Sequence, residues 1–136
     1  MNRDAIVAHV GDSRAYVFRK SNLVAITRDH TLAQDLIAHG AKPEAVRRFR
    51  SVLTRAFRGE ESDGHPDVAH VHLEVGDALL LCSDGLSDVV GAAEISQVLS
   101  AHSRPQAACD ALLEKALAAG GPDNITVLAA KVVGAN

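Results

Sequence analysis

Tryptophan is absent from the chain, and only one tyrosine and three phenylalanines are present among 136 residues. So few aromatic rings leave no platform on which nucleic-acid bases could stack. Charge of one sign is also lacking. The formal net charge is -3 with seven histidines counted neutral, and the basic residues are scattered apart from Arg47, Arg48 and Arg50, so no strong field favours nucleic acid. The two cysteines, Cys82 and Cys109, are too few for a disulfide scaffold. Each sits among apolar neighbours and reads as a small buried hydrophobe. No apolar run approaches membrane-spanning length and no signal-peptide pattern precedes the first apolar stretch, so a reducing cytoplasm is the expected setting. What is present is ordinary globular composition, 47% apolar and 23% charged, in a length that suits one domain. The alanine-rich, arginine-over-lysine bias points to a bacterial source.

Hydrophobic patterning divides the chain into strands first, then helices, then a last strand. Ala5–Val10 is apolar and β-branched, and the turn at residues 10–14 leads into a return strand, Ala15–Arg19. Ser21-Asn22 turns the chain again into Leu23–Thr27, which makes the opening an expected antiparallel meander. Thr31 is a candidate N-cap for an amphipathic helix ending at Gly40, and Pro43 can open a second short helix reaching Phe49. Residues 58–66 are polar and contain two glycines and a proline, as a loop would. Val68–Val75 alternates, with His70, His72 and Glu74 on a wet face. Gly76-Asp77 is a hairpin signal before the continuous apolar run Ala78–Cys82. Helices are expected over Ala92–Ala101 and Pro105–Ala119, and a β-branched strand over Ile125–Val133. This order, without βαβ alternation, predicts an α+β fold with antiparallel sheets.

Three acidic turns border these strands: Gly11-Asp12-Ser13-Arg14, Ser83-Asp84-Gly85-Leu86 and Pro122-Asp123-Asn124-Ile125. Asp12 and Asp84 follow their strands, whereas Asp123 precedes its own. An antiparallel last strand would bring all three carboxylates to one sheet edge. Clustered carboxylates repel unless a cation neutralises them. Hard oxygen donors without cysteine or paired histidine favour Mg²⁺ or Mn²⁺ over Zn²⁺. An Asp-Gly turn after a strand is ordinarily plain turn chemistry, so spacing by itself leaves that reading open.

The segments around these turns occur in a telling order: residues 8–16 (Ala8 to Tyr16), Thr27-Arg28-Asp29-His30-Thr31, Leu53-Thr54-Arg55-Ala56, residues 81–88 (Leu81 to Asp88) and residues 121–127 (Gly121 to Val127). Together they resemble the successive motifs of the metal-dependent serine/threonine protein phosphatases, the type 2C or PPM family, in bacterial form. The resemblance implies an antiparallel β-sandwich flanked by helices. It implies Asp84 and Asp123 as ligands of a core Mg²⁺ or Mn²⁺ pair, with Asp12 helping to hold an accessory third ion. It also implies hydrolysis of phosphoserine or phosphothreonine proteins by a metal-activated water, and a bacterial serine/threonine kinase as a partner. Residues 31–66 resemble the family's variable flap beside the active site, within a single partial domain over residues 1–136.

The motifs match the C-terminal part of the family's domain. The portion that carries the phosphate-binding Arg, a Glu-Asp pair, an Asp-Gly turn and the catalytic His has no counterpart in them. Asp63-Gly64-His65 echoes such a turn but falls at the wrong place in the order and reads as surface loop. The chain is therefore expected to hold part of a metal shell without a catalytic side chain of its own. A sandwich incomplete on its N-terminal side would expose strand edges and an apolar sheet face, giving self-association or marginal stability, and little turnover in isolation. The alternative reading is a non-catalytic, partner-binding module of the same fold. Of the remaining candidates, His70 and His72 read as a solvated face and Asp29-His30 as a structural turn. Arg55 and Arg58 are candidates to face phosphate, Arg14 to brace its own turn, and Asp88 to cap a helix or support the site. Ser13, Ser83 and Ser87 lack the Gly-x-Ser-x-Gly context of a serine hydrolase.

Overall fold

A computed structural model of the chain describes residues 3–57, 59 and 64–134. The expected strand-helix-strand order is present: β1 (Asp4–His9), β2 (Arg14–Arg19), β3 (Asn22–Ala25), α1 (Leu32–Ala38), α2 (Pro43–Val46) with a 3₁₀ turn over Arg47–Phe49, β4 (Asp67–His72), β5 (Ala78–Cys82), α3 (Asp84–Ser87), α4 (Ala92–Ala101), α5 (Pro105–Ala118) and β6 (Val127–Lys131). The strands form two antiparallel sheets, a four-stranded one in the order β3-β2-β5-β6 and a ribbon of β1 with β4.

The four-stranded sheet is built round β5, whose continuous apolar run pairs on both sides as a central strand should. One face carries Tyr16, Leu80, Cys82, Val127 and Ala129, and packs on Leu86, Ile95, Val98, Ala108, Leu112 and Ala116 from α3, α4 and α5. The stripe Ala108, Leu112, Ala116 is the buried face of α5, as its four-residue spacing requires. Cys82 lies in this core, and burial pushes its thiol up to about 11. Both cysteines are free. A thiol reagent at pH 8 is therefore expected to leave Cys82 unmodified in the native protein and to modify it in denaturant. Rapid native labelling measured by mass spectrometry would contradict this packing.

Two turns differ from the meander and hairpin that their composition suggests. The chain between β1 and β2 does not fold back as a hairpin. β1 pairs with β4, Ala5 opposite Val71 and Val7 opposite Ala69, so the Gly11-Asp12 turn carries the chain from one sheet to the other. Gly11 makes this possible with φ +103°, a region that disfavours any side chain. Gly76-Asp77 likewise passes between sheets. Asp77 is only 2% exposed and accepts hydrogen bonds from Arg19 Nε at 2.9 Å, Arg19 Nη2 at 2.6 Å and the Glu74 N–H at 2.7 Å. Arg19 is the leading cause that holds the Asp77 carboxyl below its ordinary range. Local turn propensity is blind to partners fifty-eight residues apart. β4 is also shorter than the alternation suggests, ending at His72, and β6 occupies only Val127–Lys131.

Residues 31–53 leave the sheets as a helical excursion closed at its neck by an antiparallel bridge between Thr31 and Leu53. The Thr31 hydroxyl caps α1 by accepting from the Gln34 N–H at 3.2 Å. Ala33 and Val46 are the buried residues of α1 and α2.

Candidate metal-binding edge

The register of the four-stranded sheet decides where the aspartate turns lie. Arg14 at the start of β2, Cys82 at the end of β5 and Val127 at the start of β6 stand abreast. The turns bearing Asp12, Asp84 and Asp123 therefore leave from one edge. Asp84 opens the short helix α3, and the Asp88 N–H bonds back to the Asp84 carbonyl at 2.8 Å. The Ser83 N–H donates to the Thr126 carbonyl at 3.0 Å, while the Ser83 hydroxyl accepts from the Thr126 N–H at 3.0 Å and donates to the Asn124 carbonyl at 3.2 Å. Ser83 thus staples the Asp84 turn to the Asp123 turn. Gly85 lets them meet: a Cβ there would lie 2.2 Å from the Asn124 oxygen.

Burial raises the pKa of Asp12, and the charge of Asp84 is the next cause, with Asp29 and Asp88 adding to it. The Asp84 charge is therefore close enough to repel that of Asp12, in surroundings that disfavour the ionised form of Asp12. Asp123 is differently employed, since its Oδ1 accepts the Asn124 N–H at 2.7 Å within its own turn. Among the described residues no group of three or more His, Cys, Asp or Glu side chains gathers tightly enough to enclose an ion by itself. One or two carboxylates with water completing the shell is the coordination that Mg²⁺ accepts, and this donor set fits it.

Behind the Asp12 turn lies a buried pair, His9 and His30, of which the sequence reading takes only Asp29-His30, as a structural turn. The Gly11 N–H donates to His30 Nδ1 at 3.1 Å, and the His30 backbone N–H donates to the Gly11 carbonyl at 2.8 Å. An Nδ1 that accepts leaves Nε2 to carry the proton, and this Nε2–H donates a hydrogen bond to Asp67 Oδ2 at 2.9 Å. Arg55 bonds the other Asp67 oxygen at 2.7 Å. His30, then Arg55, hold the Asp67 carboxyl down at about 2. His9 packs against His30 with ring centroids 4.5 Å apart and planes tilted by 42°, is 8% exposed, and has no well-aligned hydrogen-bond partner at either ring nitrogen. The Gly11 backbone approaches its ring without forming a well-aligned bond. Burial, then the neighbouring His30, lowers the His9 pKa.

Arg14 makes a bidentate pair with Asp29, Nε to Oδ1 at 2.9 Å and Nη2 to Oδ2 at 2.7 Å, so it braces its turn as expected. Arg55 is committed to Asp67 rather than aimed at the aspartate edge. His70 and His72 are exposed and flank Asp4, as a solvated face would. Asp88 is the C-cap of α3 and contributes to the field at Asp12. Arg58 and Asp63 lie outside the described residues.

The profile of the protein phosphatase 2C family matches residues 1–125. Serine/threonine protein phosphatase PstP of Mycobacterium tuberculosis (strain CDC 1551 / Oshkosh) is 42% identical over 135 residues, covering 97% of this chain and 26% of that protein. The crystal structure of the Mycobacterium tuberculosis phosphatase PstP/Ppp superposes with TM-score 0.88 at 37% identity, over 97% of this chain and 56% of that one. The PstP catalytic domain in complex with two manganese ions superposes with TM-score 0.84, also at 37% identity, over 98% of this chain and 56% of that one. The chain thus spans about a quarter of the length of that curated relative and a little over half of those structures. No helix among the described residues is long and apolar enough to cross a membrane. The motif order, the α+β architecture and these matches agree: the chain belongs to the protein phosphatase 2C family.

Proposed function

We propose that this chain carries the metal-binding edge of a serine/threonine protein phosphatase, with Asp84 and Asp123 as core ligands and Asp12 as an accessory one. The observation that carries this reading is the shared edge. The Arg14, Cys82 and Val127 register brings three aspartate turns together, and Asp84 raises the pKa of Asp12 there. A divalent pair would supply positive charge for the phosphoryl oxygens and acidify a water for attack on phosphorus. The chain's own residues do the positioning. Ser83 and Gly85 hold two ligand turns in contact, and the paired His30–Gly11 hydrogen bonds fix the third. The excursion over residues 31–66 stands as the flap that selects phosphoserine or phosphothreonine segments, those left by a serine/threonine kinase in a bacterial cytoplasm. All of this belongs to one partial domain over residues 1–136.

One observation favours the non-catalytic reading for the chain by itself. Arg14 and Arg55 are each tied to a carboxylate, Asp29 and Asp67, so neither offers a free guanidinium to phosphate. Little turnover is therefore expected from the isolated 136-residue protein. The test is hydrolysis of an aryl phosphate with Mn²⁺, with and without chelator, in the wild type and in Asp84→Asn. The phosphatase reading expects any rate to vanish with chelation and with the substitution. A rate that survives chelation would sink it. Manganese binding with no rate under any condition would favour the partner-binding module.

A further inference from the structure

We infer that the cleft at the far end of the four-stranded sheet, opposite the aspartate edge, is a binding site for a small amphipathic anion. Such a ligand has an apolar body about the size of one ring and a carboxylate or phosphate head. The inference goes beyond the phosphatase reading and does not rest on it.

The strand register sets the place. Phe18, Ala78 and Lys131 stand abreast on β2, β5 and β6. They lie four residues along the strands from the row of Arg14, Cys82 and Val127, about 13 Å at an ordinary rise per residue. Side chains alternate along a strand, so Phe18 shares a face with Tyr16, Ala78 with Leu80, and Lys131 with Val127 and Ala129. That face is the one packed on the helices. The last row of a helix-covered face thus carries a lysine, where the earlier rows of β6 carry valine and alanine.

Small residues open the space behind that lysine. Ala78, Ala108 and Ala129 leave a wedge between the sheet and the α4–α5 junction, walled by Phe18 and Leu99, with a volume of about 300 Å³. About ten molecules of liquid water would occupy that volume, so it admits a single ring rather than a peptide or a nucleotide. Its inner wall is core, since Leu99 and Ala108 are buried. Its rim is exposed and basic, with Lys20, His102 and Lys131 beside the hydroxyls of Ser21, Ser100 and Ser103. No Asp or Glu is among the described residues that line it, although the whole chain has 17 acidic residues against 14 Lys and Arg. An apolar wedge under a rim of one charge sign matches an amphipathic anion and rejects a cation.

The rim charges are uncommitted, and the rim is already formed. Lys131 Nζ donates to the Ser103 carbonyl at 3.3 Å, which ties the α4–α5 junction to β6. Among the described residues no carboxylate pairs with it. Lys20 Nζ reaches Glu74 Oε2 only at 4.0 Å, and Arg19 holds the other Glu74 oxygen at 3.2 Å. On the opposite rim, Lys20 and Ser21 turn β2 into β3 with φ of +49° and +67°, the left-handed region where glycine or asparagine is the usual choice. The Ser96 hydroxyl holds this turn against α4 by donating to the Ser21 carbonyl at 3.2 Å. A turn that keeps lysine and serine against its backbone preference, clamped beside a cleft, points to a use for those side chains.

The experiment titrates the isotopically labelled 136-residue protein with phenylphosphonate and follows the backbone amides by NMR. Chelator is present throughout, so no metal at the aspartate edge competes for the probe, and the outcome is independent of phosphoester hydrolysis. Saturable shifts are expected at residues 18–21, 99–104 and 129–131, and none at residues 11–14 or 123–124. Phenylacetate should move the same residues; the tighter of the two probes names the head group, and either order supports the site. Inorganic phosphate lacks the body and benzylamine has the wrong charge, so each should bind about tenfold more weakly or worse. Lys131→Gln should weaken phenylphosphonate binding by about tenfold, as loss of a charge-assisted hydrogen bond does, and Lys131→Arg should keep it. Lys115→Gln removes the same charge from α5 outside the cleft and should change nothing. Shifts that do not saturate, inorganic phosphate binding as tightly as phenylphosphonate, or equal weakening by Lys131→Gln and Lys115→Gln would each overturn the proposal. The probe series on the unmodified chain decides the matter even where Lys131→Gln does not fold.

Discussion

Gly85→Ala is expected to destabilise the protein by about 3 kcal/mol and to part the Asp84 turn from the Asp123 turn. The obstacle is backbone, not a side chain that can swing aside. The added carbon would lie 2.2 Å from the Asn124 carbonyl oxygen and 2.9 Å from its carbonyl carbon. Relief requires moving either α3 or the strand entry at β6. The entry is tied down by the Ser83 bonds to Asn124 and Thr126 and by the β5–β6 ladder. α3 is tied down by Leu86, which is fully buried in the core. Whichever gives, the two aspartates separate. Denaturant unfolding should show a lower midpoint, and manganese binding should weaken further than stability alone explains. Gly134→Ala is the matched control, because nothing lies within 4 Å of a Cβ at that exposed position, its φ is not left-handed and it caps no helix. Equal stability of Gly85→Ala and the wild type would mean that the turns do not abut.

The same contact shows what a single sequence can and cannot convey. The closeness of the Asp84 and Asp123 turns was legible because each sits in a short motif beside a strongly patterned strand, and an antiparallel β5–β6 pair follows from that patterning. Their relation to Asp12 was legible in outline, since it needs only strand direction. The sheet to which β1 belongs was not. Its partner β4 lies across the whole helical excursion, and a Gly-Asp turn looks the same whether it closes a hairpin or changes sheets. Cooperative polar networks were equally hidden. His30 reads as part of a turn motif, yet it clamps Gly11, carries Asp67 and packs against the His9 ring. Asp77 reads as turn chemistry, yet it is a buried acceptor for Arg19. In each case the partner is fixed by tertiary packing, which periodicity does not encode.

Manganese is expected to raise the melting temperature, and the size of that rise should grow with pH. Without a cation the fold holds Asp12 in surroundings that raise its pKa, through burial first and the Asp84 charge second. A carboxyl whose folded pKa lies above its unfolded value contributes stability that is fully present below the ordinary value of 3.8. That contribution is lost as pH rises through the raised one. The chelated protein should therefore lose this contribution on going from acid toward neutrality. A divalent ion reverses the local preference, because it binds the ionised carboxylates and competes with their protons. At a free concentration about a hundred times its Kd, it would add about 2.7 kcal/mol. For a domain of this length that is a rise of about 9 °C. The melting curves with manganese and with chelator should lie close together near pH 4 and diverge toward pH 7. Asp84→Asn should abolish the divergence by removing a ligand and the charge that perturbs Asp12 together. Asp12→Asn should flatten the pH dependence of the chelated protein while retaining part of the manganese response, as an accessory ligand would. Coincident curves for the wild type across this range would show that the aspartate edge repels without binding, and the metal assignment would fall with it.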